Sequence, residues 1–289
     1  MRRRWRTHRA VDGIRLASET TSWGPDPRPL VLASHATGFC KEVFRPVVAD
    51  LASSVPAAEV RAFDHRAHGD SEVPEPPFDW WDLGKDVLTV LDGRTSVTGV
   101  GHSAGAASLL LAELLAPGTF VSLVLVEPIV FPGPVARQEH ALVDAALKRK
   151  AEFASRAAAT ENWAGKPAFA GWVPAALEAY ARGGLTPDGD RWRLKCPPEA
   201  EAEFYRGSTA HGGWDRLGEI DSNVVLIAGE QSDTHPGHFL ERTAAQLGGG
   251  HVVVVPETSH FVVMERPDIV ACHVAAALGP DPCQRGVDR

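Results

Sequence analysis

The run Val121-Ser-Leu-Val-Leu-Val126 constrains the fold most. It is nearly all apolar, the pattern of a strand buried on both faces. Such strands belong to parallel sheets covered by helices, so the flanking sequence should alternate strand with helix. Pro29–Ala33, Val60–Phe63 and Val97–Val100 read as short strands. Between them lie two helical stretches: Lys41–Ser53, with Val43, Phe44, Val47, Val48 and Leu51 at helical spacing, and residues 80–91. Ala104–Leu115, rich in Ala and Leu, is a third. Ahead of this series, residues 6–11 and 14–18 flank Asp12-Gly13, a dipeptide suited to a hairpin turn.

The rhythm breaks at Pro132 and resumes near Asn223 with strands at Val224–Ala228 and Val252–Val255 and helices at Gly237–Leu247 and Pro267–Leu278. The intervening sequence reads as helix over Gln138–Arg156, Pro174–Arg182 and Pro198–Arg206. The expected architecture is therefore one α/β sheet domain, residues 1–131 and 215–289, interrupted by an all-helical insertion over 132–214 and closed by a polar tail over 280–289. Trp163, Trp172, Trp192 and Trp214 fall in or at the edge of that insertion, with both tyrosines, Tyr180 and Tyr205.

Composition narrows the class. Of 289 residues, 44% are apolar and 23% charged, the balance of a globular chain rather than a disordered one. The 37 acidic side chains against 29 basic give a net charge of −8, which disfavours non-specific nucleic-acid binding. Cys40, Cys196, Cys272 and Cys283 form no CxxC pair, so no zinc knuckle or redox motif is indicated and free thiols are expected. The basic start, MRRRWRTHRA, lacks the apolar core of a secretory signal, and no run approaches the ~20 apolar residues of a membrane span. A cytoplasmic location is the expectation.

Chemistry enters with Gly101-His102-Ser103-Ala104-Gly105, which fits G-x-S-x-G between a predicted strand and a predicted helix. On so sharp a turn the serine hydroxyl is lifted above the sheet, and small neighbours avoid a clash. The following helix start favours developing negative charge. Serine needs a base, and the base needs a partner that fixes its tautomer. Among twelve histidines, His260 follows the last predicted strand, at the carboxyl edge where α/β sheets place ligands. For the acid, Asp233 follows another strand and gives the order Ser, Asp, His, and it is favoured over Glu230 and over Glu127, which ends the strand before the insertion. Two N–H donors must hold the oxyanion. Ala104 supplies one, and the turn after Pro29–Ala33 the other, with Thr37 preferred to Gly38 or Phe39.

With these residues the sequence resembles the α/β-hydrolase superfamily over nearly its whole length. The likeness also rests on His35-Ala-Thr-Gly-Phe39, on Asp64-His-Arg-Ala-His-Gly-Asp-Ser71, on the Gly-Glu-x-Ser-Asp233 turn, and on Ser259-His-Phe261 followed by Glu265-Arg-Pro267. Ala36 and Ala67 stand where many members carry glycine. The resemblance implies an eight-stranded, mostly parallel sheet flanked by helices, with a lid after the sixth strand. The stretch from Tyr180 to Tyr205 looks like the cap of an esterase/lipase-like branch.

The resulting expectation is a serine hydrolase acting on an ester of a small to medium, apolar substrate, with Ser103, His260 and Asp233 as the triad. Phe39, His102, Tyr180 and Tyr205 are candidate substrate contacts. No cofactor and no metal are expected, because neither His65/His68 nor His235/His238 has the HExxH spacing of a zinc enzyme. A loop-stabilising or solvated role suits those four better. Thioester, lactone and C–C bond hydrolysis use the same constellation and stay open, as does a non-catalytic ligand-binding protein on this fold. Aspartate-nucleophile chemistry is disfavoured, since the elbow carries Ser103. The expected partner is a small-molecule substrate, and the oligomeric state is open.

Overall fold

A computed structural model describes residues 1–26, 29–133, 135–235 and 237–279. The polar tail expected over 280–289, with Cys283, lies outside the described residues. The chain opens with a hairpin, β1 (Arg2–Arg9) and β2 (Arg15–Trp23), followed by β3 (Leu30–Ser34), α1 (Arg45–Ser54), β4 (Ala58–Phe63), α2 (Trp80–Leu91), β5 (Val97–His102), α3 (Ala104–Leu115) and β6 (Phe120–Val126). Next come α4 (Ala141–Leu147), β7 (Glu152–Phe153), α5 (Arg156–Ala164), α6 (Pro174–Gly183), β8 (Leu185–Asp188), β9 (Arg191–Leu194) and α7 (Pro198–Gly207). The chain then returns through β10 (Asn223–Gly229), α8 (Gly237–Gln246), β11 (His251–Val255), α9 (Val262–Glu265) and α10 (Pro267–Leu278).

Eight strands form one sheet in the order β1-β2-β4-β3-β5-β6-β10-β11, antiparallel only where β2 meets β1 and β4. Side chains alternate across it. In β6, Val124 and Val126 join the core beside α1 and α10, while Phe120, Leu123 and Leu125 join the core beneath α2, α3 and α8. That two-sided burial is what the apolar run in β6 demands. Parallel crossovers put the carboxyl ends of β3, β5, β6, β10 and β11 on one edge, and their loops meet there.

The expectation of an all-helical insertion needs correction. Between β6 and β10 a small three-stranded antiparallel sheet, β7-β9-β8, accompanies the helices. Its hairpin turns at Gly189 (φ 59°) within Pro187-Asp-Gly-Asp190, and Arg191-Trp-Arg-Leu194 alternates outward and inward. The helix expected over Gln138–Arg156 is broken for the same reason: Glu152-Phe153 pairs with β9 and Phe153 is buried against Trp163. Cys40 and Cys196 are buried free thiols, whereas Cys272 is disulfide-bonded, which corrects the expectation of four free thiols. Among the described residues no helix is long and apolar enough to cross a membrane.

Candidate active site

Ser103 occupies the turn from β5 to α3 with φ 56° and ψ −116°, a left-handed conformation that costs a non-glycine residue of order 1–3 kcal/mol. The surroundings over-determine it. Its amide donates to the Val126 carbonyl at 2.8 Å and its carbonyl accepts from the Ile129 amide at 3.3 Å. A Cβ on Gly105 would sit 2.1 Å from the Ser34 carbonyl oxygen, and one on Gly101 2.6 Å from Ala106 Cα. Both glycines are therefore required for the elbow to close against β3 and α3.

His260 lies in the loop between β11 and α9. That loop is held by Ser259, whose amide and hydroxyl both reach Glu265 (2.8 and 2.6 Å), and by close packing on Gly229, where a Cβ would meet the Ser259 carbonyl oxygen at 2.1 Å. The residue before the nucleophile completes the hold: His102 Nε2 donates to the His260 carbonyl at 2.9 Å. Burial and the nearby His260 ring push His102 down to about 3, so this ring is neutral.

The carboxylate that meets His260 is Glu127, not Asp233. Glu127 directly follows β6 with φ 49°, is fully buried, and places Oε2 2.5 Å from His260 Nδ1. Asp233 is exposed, and its Oδ1 accepts from the neighbouring Thr234 hydroxyl at 3.3 Å. Glu230 holds the Glu257 amide instead. The physical reason is local: the loop after β10 turns Ser232 and His235 inward onto Glu127, which turns Asp233 out. Burial alone would raise the Glu127 carboxyl, but hydrogen bonds from His235 and His260 hold it well below the usual carboxylate range. With Nδ1 committed to Glu127, the other nitrogen of His260 has no partner among the described residues, nor has the Ser103 hydroxyl.

The Glu127 carboxylate and the His235 and His260 rings each bring a potential ligand atom within 4.8 Å of the others. Ligands on a tetrahedral ion with ~2.0 Å bonds lie about 3.3 Å apart. The 2.5 Å contact between Glu127 Oε2 and His260 Nδ1 is shorter than that spacing and is a direct hydrogen bond.

The oxyanion candidates separate cleanly. The Gly38 amide donates to His68 Nε2 at 2.8 Å and the Phe39 amide to the Ala36 carbonyl at 3.2 Å. The Thr37 and Ala104 amides have no partner among the described residues. His68 is neutral, driven down to about 4 by burial, and its Nδ1 donates to the Arg66 carbonyl, which leaves Nε2 free to accept. His65 and His68 are thus buried supports of the loops, while His238 is exposed. In the same segment Ala67 adopts φ 64°, the left-handed backbone state that favours glycine, and Ala36 does not.

The insertion bears on this edge through side chains. Tyr180 donates to the Gly38 carbonyl at 3.0 Å and accepts from Arg149, which also pairs with Glu201 at 2.5 Å. A cavity of about 200 Å³ opens beside Thr37, lined by Phe39, Arg149, Trp163, Lys166, Phe169, Tyr205 and Phe261 among others. Of the expected substrate contacts, Phe39 and Tyr205 line it. His102 and Tyr180 do not, being buried behind His260 and Phe39 respectively.

The sequence matches the alpha/beta hydrolase family over residues 30–271. It is 26% identical to the peroxisomal membrane protein LPX1 of Saccharomyces cerevisiae, across 82% of this chain and 71% of that protein. The crystal structure of Lpx1 covers 96% of this chain, and is itself covered to 88%, with a TM-score of 0.81 at 20% identity. The 2-(acetamidomethylene)succinate hydrolase of Mesorhizobium japonicum is 26% identical across 83% of this chain and 84% of its own length. A thioesterase domain from the curacin biosynthetic pathway aligns over 95% of this chain and 99% of its own, with a TM-score of 0.77 at 17% identity.

Proposed function

The chain belongs to the alpha/beta hydrolase family, and from that premise we propose that it is a serine hydrolase in which Ser103, His260 and Glu127 form the triad. The observation that carries this reading is the 2.5 Å contact between a fully buried Glu127 carboxylate and His260 Nδ1, beside a serine held in a left-handed elbow. That contact fixes the tautomer of His260 and leaves Nε2 to take the Ser103 proton. In ligand-free serine hydrolases this last hydrogen bond is commonly long and tightens with substrate.

Ser103 Oγ then attacks an acyl carbonyl. The Thr37 and Ala104 amides hold the oxyanion at the start of α3, His260 passes the proton to the leaving group, and water cleaves the acyl-enzyme. The bond is proposed to be a carboxylic ester. Residues 132–214 serve as a lid, and the cavity beneath them takes the acyl group. Its size, below the ~300–1,000 Å³ of drug-sized sites, and its aromatic lining fit a short or single-ring apolar acyl chain.

Labelling by a fluorophosphonate probe tests the reading. The wild type should label and Ser103→Ala should not, with ester turnover in the variant falling about 10⁴-fold or more. Absence of Ser103-dependent labelling would leave the non-catalytic binding protein in its place. A panel of p-nitrophenyl esters of graded length, run beside thioesters and lactones, should favour short or aromatic acyl esters.

A further inference from the structure

His235, on the loop between β10 and α8, is fully buried. Its Nε2 lies 2.9 Å from the Pro128 carbonyl oxygen, which can only accept, so Nε2 carries a proton. Its Nδ1 lies 3.1 Å from Glu127 Oε2. That carboxylate already receives the Gly229 amide at 3.0 Å, the Ser232 hydroxyl at 2.7 Å and His260 Nδ1 at 2.5 Å. Ser232 Oγ accepts from the Thr234 and His235 amides, which leaves its own hydrogen for Glu127. A carboxylate stabilised by three other donors is a poor competitor for a proton, so the proton on this line stays with the imidazole.

We propose that His235 is a buried imidazolium and a positioning residue. Paired with Glu127, it pins the carboxylate beneath His260 and places a charge beside the ring that takes the Ser103 proton. The groups facing it are Glu127 from the end of β6, Ser232 and Thr234 from its own loop, and His260 from the loop after β11. The rings of His235 and His260 stack with centroids 6.3 Å apart and planes 17° from parallel. Phe131 and Phe239 enclose its remaining faces, the neutral His102 lies beyond His260, and Asp233 is turned to solvent. When His260 accepts the Ser103 proton, two imidazoliums share one carboxylate, which favours onward transfer of that proton to the leaving group. The inference rests on Glu127 being the triad acid.

Two measurements test it. Imidazole ¹H–¹⁵N spectra of the full-length wild type near neutral pH should show one ring, identified by its contacts to Phe131 and Phe239, with protons on both nitrogens. His235→Asn keeps a neutral donor toward Glu127 and removes the charge. The acidic limb of kcat/KM should then move to higher pH by about one unit, because a cation no longer opposes protonation of His260. A purely structural histidine would lower activity without moving the limb. A His235 ring with a single proton, or a limb that stays in place, overturns the proposal. If the variant fails to fold, the wild-type spectrum decides alone. Failure of the wild type to label with a fluorophosphonate would sink the hydrolase reading instead, and the spectrum does not depend on activity.

Discussion

The sheet edge and the insertion converge on one site but are held by different means. At the sheet edge the determinants are backbone contacts. Cβ atoms added at Gly101, Gly105 or Gly229 would meet main-chain atoms at 2.1–2.6 Å, and Ser103 and Glu127 sit at positive φ between hydrogen-bonded strands. Where the insertion touches that edge, the close approaches are to the far ends of side chains. Gly38 faces Glu201 Oε1 and Arg149 Nη1, and Gly183 faces Glu42 Oε2. Rigid backbone fixes where the reacting groups stand, whereas side-chain pairs fix how the insertion rests on them. Changes at the edge should therefore abolish the site, and changes at the latch should tune it.

The largest expected effect is at the edge. Gly105→Ala has no room to relax against the Ser34 and His35 carbonyls, and should cost more than about 3 kcal/mol, seen as a large fall in urea midpoint or as loss of soluble protein. An unchanged midpoint would break the contrast. Next in size is the response to acid. Burial drives His65 and His102 to about 3 and His68 to about 4, so between pH 6.5 and 4 they take up protons only on unfolding, and stability must fall as pH drops. Asp64 and Asp86, raised to about 6 by burial, offset part of this by holding protons in the folded state. Denaturant titrations at successive pH values should show a loss on the order of 2 kcal/mol per pH unit near pH 5. A flat profile would mean that these rings are not held neutral.

The insertion should respond more mildly. Tyr180→Phe removes the hydroxyl that binds the Gly38 carbonyl beside Thr37 and should lower kcat about tenfold with KM little changed, the mark of a misplaced oxyanion donor. A rise in KM alone would make Tyr180 a substrate contact. Smallest of all, Arg182→Ala breaks an exposed pair with Glu178 and should change the thermal midpoint by less than about 0.5 kcal/mol equivalent.

The same contrast marks how far the sequence could be read. Helices at 80–91, 104–115 and 267–278 agree with their sequence reading residue for residue, since strong terminators bound them: the Asp79 cap, the elbow, and Pro267 at the first turn. The elbow turn is legible because Ser103 directly follows β5, and the loop carrying His260 because it lies just past the last strand, β11. Within the insertion the small sheet is not legible. Pro187-Asp-Gly-Asp190 carried a hairpin signal, but its strands are only four residues long and lie among good helix formers. The carboxylate beside His260 is not legible, because chain order names a loop and not the side chain that the loop turns inward. Glu127 did leave one trace, a carboxylate at the end of an otherwise apolar strand, and its longer side chain reaches what Asp233 does not.

The central claim is that Glu127 acts under His260, and ester turnover by Glu127→Gln and Asp233→Asn tests it most directly. Glu127→Gln keeps the shape but loses the charge that stabilises the imidazolium, so kcat/KM should fall about 10³- to 10⁴-fold while Asp233→Asn stays within twofold of wild type. A crippled Asp233→Asn beside a nearly normal Glu127→Gln would contradict the account.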